Sequence, residues 1–196
     1  MGKAQAKSSG LKASGYFSYR LKDLIALVVI IACWAGANIL FQPMNILPRF
    51  ILSFAIMAFF VTFSALLIRK FGVVLLLFLL AVTAISSLPD LTGLGIKAYV
   101  VMFIAGSVFE LMYLIFYTEI KVIPFDVIFS VVIALASVPL STGLLLSPAL
   151  VNLRLAEIIN LMLLDFFIAL IAAMVSFFFW FNIRVSKFIL KFEYAS

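Results

Sequence analysis

Apolar residues fall into six long runs separated by short polar breaks, and each run approaches the roughly 20 residues that a helix needs to cross the hydrocarbon core of a bilayer. The first covers about 24–41, opened by Arg20, Lys22 and Asp23 and closed by Gln42, Pro43 and Asn45. The second, about 50–68, lies between Arg49 and Arg69, and the third, about 71–88, follows so short a turn that the two must form an antiparallel hairpin. A fourth run, Ala98 to Thr118, is entered through a loop carrying the helix breakers Pro89, Gly93 and Gly95. The fifth covers about 122–140, with Pro124 in its first turn and Pro139 marking its end. A longer connection containing Pro148, Asn152 and Arg154 leads to the sixth, about 158–183. This pattern predicts an all-α integral membrane protein: a single domain over 20–196 built as a six-transmembrane-helix bundle, preceded by a flexible basic tail over 1–19.

Charge then orients the bundle. With the N-terminus inside, the inner loops and ends hold Lys3, Lys7, Lys12, Arg20, Lys22, Arg69, Lys70, Lys121, Arg184, Lys187 and Lys191, leaving only Arg49, Lys97 and Arg154 of the 14 basic residues outside. By the positive-inside rule both termini are cytoplasmic, in a multi-pass protein of the cell membrane. The first 22 residues are polar and basic for longer than the start of an ordinary signal peptide, so they read as a retained tail.

Composition narrows the chemistry. Of 196 residues 67% are hydrophobic and 11% charged, and the mean hydropathy is +1.33, which leaves no room for an extramembrane catalytic domain. The net charge of +6 comes from residues at segment ends, a topology signal rather than a nucleic-acid footprint, so no nucleic acid is expected as a partner. Histidine is absent and Cys33 is the single cysteine, which excludes an internal disulfide and argues against haem, zinc and iron-sulfur sites; no cofactor is expected. There is no GxSxG, HExxH or phosphate-cradling glycine loop, and no enzyme is expected.

The remaining candidates are polar residues inside apolar runs. Glu110 lies some 12 residues into segment four, roughly 18 Å along the helix and so at or below the bilayer centre. An acid at that depth costs about 2.5–3.5 kcal/mol on insertion scales, and a partner or a function must offset it. Asp165 lies roughly 10 Å into segment six from the same side. Asn160, Glu157 and Arg154 precede it at spacings of three to five and extend a polar stripe toward the outer surface on one broad helical face. Tyr113, at i+3 from Glu110, can share its face, and Asn38, Gln42 and Asn45, with Asp90 and Tyr99, are positioned for a pocket rim. Each also has a plain structural reading: a protonated acid bonded to a neighbouring helix, an asparagine holding two helices together, or a solvated loop residue. Asp126, Glu119 and Lys121 read as an interfacial charge group, and Phe177 to Phe181 as an aromatic belt. In segment one Ala32 with Gly36, and Cys33 with Ala37, have the four-residue spacing that lets helices approach closely, either within the bundle or against a partner subunit.

The order RLKDLIALVVIIACWAGANILFQP, ALLIRKFGVVLLLFLLAVTAI, GIKAYVVMFIAGSVFELMYLIFYTEIK resembles the substrate-binding S components of energy-coupling factor (ECF) transporters, most of all the YkoE-like type for thiamine or its hydroxymethylpyrimidine precursor. The resemblance covers about residues 20 to 184. It rests on Arg20 to Asp23 before helix one, Arg69 to Gly72 before helix three (with Phe71 where the family often has proline), and Gly106 to Glu110 in helix four. It implies a vitamin-binding subunit of an ECF-type importer that works with a membrane T component and ATPase subunits. Glu110 would be the anchor and Tyr113, Asp165, Asn160, Asn38, Gln42 and Tyr99 further substrate contacts, with Ala32 and Gly36 toward the partner. A carboxyl can pair with an aminopyrimidine through two hydrogen bonds, and an aromatic neighbour can stack on the ring. Two other classes remain open on the residues alone: a non-catalytic scaffold subunit of a larger membrane complex, and a proton-coupled small-molecule carrier that uses the two acids as a relay.

Overall fold

A computed structural model of the chain describes residues 19–86, 96–116, 124–146 and 151–184. They form six helices: α1 (Leu21–Leu40), α2 (Ile46–Ile68), α3 (Val73–Ser86), α4 (Ile96–Ile115), α5 (Phe125–Leu146) and α6 (Val151–Ile183). Five of them, all but α3, are long and apolar enough to cross a membrane, and α3 is a shorter apolar helix of 14 residues. This is an all-helical architecture compatible with a multi-pass membrane protein.

α2 is the central element. It packs against α1, α3, α5 and α6, while α6 lies on α5, α5 on α4, α4 on α3, and α3 on α1. The core between them is built of aliphatic and small side chains such as Leu27, Ala58, Leu66, Val74, Val131, Leu135 and Ala173. Outward positions are just as apolar: Val28, Leu114, Phe167 and Ile171 are all more than half exposed. Helices that are hydrophobic on every side belong either in a large core or in lipid, which is compatible with a multi-pass membrane protein.

Two prolines behave differently from the expectation of helix boundaries. α2 begins at Ile46, so Pro48 falls inside its first turn, where no amide donor is needed. α5 does not end near Pro139 but continues through it to Leu146. The Ser137 hydroxyl donates to the Ala134 carbonyl at 2.6 Å and the Ser141 hydroxyl to the Ser137 carbonyl at 2.9 Å, so side chains take part in the hydrogen bonding around the interruption, as is common in apolar bundles. α6 correspondingly starts at Val151, and Gly143 meets Ile158 where the two helices cross. The basic tail up to residue 18, the loop with Asp90, the Glu119 and Lys121 pair, the Arg154 side chain and the end with Lys187 and Lys191 lie outside the described residues.

Candidate functional site

Glu110 owes its position to Gly106, one turn earlier on α4. A Cβ at Gly106 would lie 2.7 Å from Leu75 Cδ1 and 2.9 Å from Leu75 Cα, so only glycine lets α4 come this close to the start of α3. Glu110 is 5% exposed, and its carboxyl group faces the backbone amides of Gly72, Val74 and Leu75 at the N-terminus of α3. Those amides belong to the first turn, which has no intrahelical acceptors and carries the positive end of the helix dipole. Neither carboxyl oxygen makes a well-aligned hydrogen bond there, so the attraction is that of a charge or dipole near a helix end.

A second acid stands nearby. Asp23, 3% exposed in the first turn of α1, accepts the Arg20 amide at 3.0 Å and the Lys70 ammonium at 2.6 Å, tying α1 to the α2–α3 turn. That turn is made possible by Arg69 and Gly72, both with positive φ, at 45° and 82°. Just before α1, the Tyr19 hydroxyl donates to the Phe71 carbonyl at 2.6 Å. Burial, and then the negative charges of Glu110 and Asp23, push the Tyr19 phenol up to about 12. Glu110 thus lies at the end of the bundle where α1 begins, α2 ends and α3 begins, little more than one turn before α4 stops at Ile115. The expectation puts Glu110 at or below the bilayer centre; in the structure it lies near one end of the bundle.

Asp165 has a different setting. It lies on the inward stripe of α6 with Ala169, Ala172, Ala173, Ser176, Phe177 and Trp180, is 0% exposed, and has no hydrogen-bond partner on either oxygen among the described residues. α5 stands between α6 and α4, so the two acids are on helices separated by a third. The expected single polar stripe on α6 is also split. Asn160 lies about 140° around the helix from Asp165, and both it and Glu157 are exposed, because spacings of three and five do not keep one face over two turns.

The other expected contacts are dispersed. Asn38 is buried and donates from Nδ2 to the Trp34 carbonyl of its own helix at 2.9 Å, and Gln42 is exposed beyond the end of α1. Tyr99 is half-buried in the first turn of α4. Tyr113, also half-buried, stacks on Phe109 with centroids 5.9 Å apart and planes within 9°. The crevice bounded by Ile30, Trp34, Met57, Val61 and Phe78, among α1, α2 and α3, is apolar and holds about 10 Å³, the space of roughly one water. Ala32 and Gly36 point outward, and a Cβ at Gly36 would meet nothing within 4 Å. Among the described residues no three His, Cys, Asp or Glu side chains converge as a metal site, and Cys33 is exposed.

Sequence reasoning missed Tyr19, and it took Asp23 and Lys70 only as boundary charges. The signal available was Asp23 three residues after Arg20, a spacing that returns a carboxylate to the amide opening a helix. No family model, curated protein or solved structure matches this chain.

Proposed function

We propose that the chain is a six-span protein of the cell membrane with both termini cytoplasmic, and that it acts as a non-catalytic scaffold subunit of a larger membrane complex. The setting of Glu110 carries this reading. The acid that the resemblance makes a ligand anchor faces the first turn of α3 behind a backbone-tight contact at Gly106, where it serves helix packing. The open face at Ala32 and Gly36 supports a partner helix, since small residues let membrane helices approach closely. The excess of Lys and Arg at one set of loops supports the orientation. Native mass spectrometry of the chain purified from its own membranes is expected to show partner subunits in fixed stoichiometry. Gly36→Leu is expected to remove them while leaving the melting of the isolated chain unchanged. A chain that emerges alone with a vitamin-sized ligand would overturn the proposal.

One observation favours a second reading, the ECF-type S component for thiamine or its pyrimidine precursor, working with a T component and ATPases. Asp165 is a fully buried acid without a protein partner among the described residues, the condition in which an intramembrane acid is first suspected of binding something. This reading requires thiamine to raise the melting temperature of the wild-type chain and Asp165→Asn to abolish that shift.

A further inference from the structure

At the end of the bundle where α2 and α6 both stop, two arginines converge on one indole. The Arg69 and Arg184 guanidinium carbons each lie 5.4 Å from the centroid of Trp180, and Arg184 also lies 4.0 Å from that of Phe181. Two like charges are therefore held no more than about 11 Å apart at the limit of two apolar helices. Arg69 reaches this position from a left-handed backbone, φ 45°, at the C-cap of α2, a conformation usually left to glycine or asparagine. Trp180 is itself 4% exposed, and its Nε1 donor has no partner among the described residues. Along α6 the neighbouring surface is aromatic and open: Phe178 and Phe179 are each about half exposed.

A planar guanidinium matches a phosphate with two parallel hydrogen bonds, and two of them stacked on one indole at the end of long apolar helices present paired positive charge to an anion. The adjoining phenylalanines offer a surface for acyl chains. We propose that Arg69 and Arg184, positioned by their stacking on Trp180, bind the phosphodiester headgroup of an anionic phospholipid. The inference rests on the membrane part of the reading above, not on the scaffold part.

The test uses the full chain in vesicles and in detergent. Wild type and the double variant Arg69→Gly, Arg184→Gln are first floated with phosphatidylcholine vesicles, and both are expected to co-float. Glycine suits the left-handed backbone at Arg69 and offsets part of the lost stacking on Trp180, so the double variant is expected to keep a single cooperative unfolding transition in detergent. In detergent, titration with phosphatidylglycerol followed by native mass spectrometry is expected to give adducts on the wild type that weaken on the order of tenfold in the double variant. Phosphatidylcholine adducts are expected to be equal on both, and inorganic phosphate at millimolar concentration is expected not to displace the lipid. Equal phosphatidylglycerol binding by wild type and variant overturns the site, as does displacement by free phosphate, which would make the ligand a soluble anion. Failure of the wild type to float overturns the membrane reading, and the lipid site with it.

Discussion

Glu110 and Asp165 are both acids buried in long apolar helices, yet their surroundings have little in common. Glu110 lies against the amides that open α3 and near a cluster with an ion pair and a phenol, while Asp165 is walled in on α6 with no partner among the described residues. Burial alone therefore says little about what an acid in a long apolar helix does. What separates the two is the direction of the nearest backbone dipoles: a helix N-terminus offers an acid an oriented field, whereas the side of a helix offers satisfied amides and apolar side chains.

The contrast breaks most sharply at Gly106. Gly106→Val would drive a side chain into the Leu75 backbone, and the helices must part to admit it, so a loss of about 2–3 kcal/mol is expected, read as a fall in the thermal unfolding midpoint in detergent. An unchanged midpoint would mean that the contact does not hold Glu110 in place. Glu110→Ala comes next, with an expected loss of about 1–2 kcal/mol because the first turn of α3 loses the carboxyl group that faces its amides. Glu110→Gln keeps an acceptor oxygen and is expected to lose less than the alanine variant.

Tyr19→Phe removes the bond to the Phe71 carbonyl and is expected to cost about 1 kcal/mol near neutral pH. Its pH signature is more specific. The phenol rises from 10.0 in the free side chain to about 12 in the folded chain, so its contribution is fully present below pH 10 and is lost as pH rises from there through 12. Unfolding midpoints measured across that window should fall more steeply for wild type than for the phenylalanine variant. Parallel curves would detach Tyr19 from the cluster.

Asp165→Asn should have the smallest effect, within about 0.5 kcal/mol of wild type, since an amide of the same shape replaces a carboxyl that has no bond to lose among the described residues. A loss as large as that of Glu110→Ala would show that Asp165 has a partner in the intact protein and erase the distinction between the two acids.

Much of this protein was legible in its sequence because long apolar helices announce themselves through continuous apolar length, a property of neighbouring residues. Six helices, the tight hairpin at Arg69 to Gly72, and the presence of buried acids at 110 and 165 all followed from that. Proline misled at residue 139, where the chain continues the helix, because a proline removes one donor from a helix and packing of the turns on either side can still hold it together. The face each polar residue takes was not legible either. Asn160 and Asp165 share a segment but not a side, and Asp23 and Lys70 are 47 residues apart in sequence and 2.6 Å apart in space. Apolar length sets the solvent in which the chain lies, and sequence alone determines it. Which acid meets a helix end and which finds no partner among the described residues is decided by the packing of α4 on α3 and of α6 on α2 and α5, because a dipole acts over a few ångströms and only the tertiary structure brings it that near.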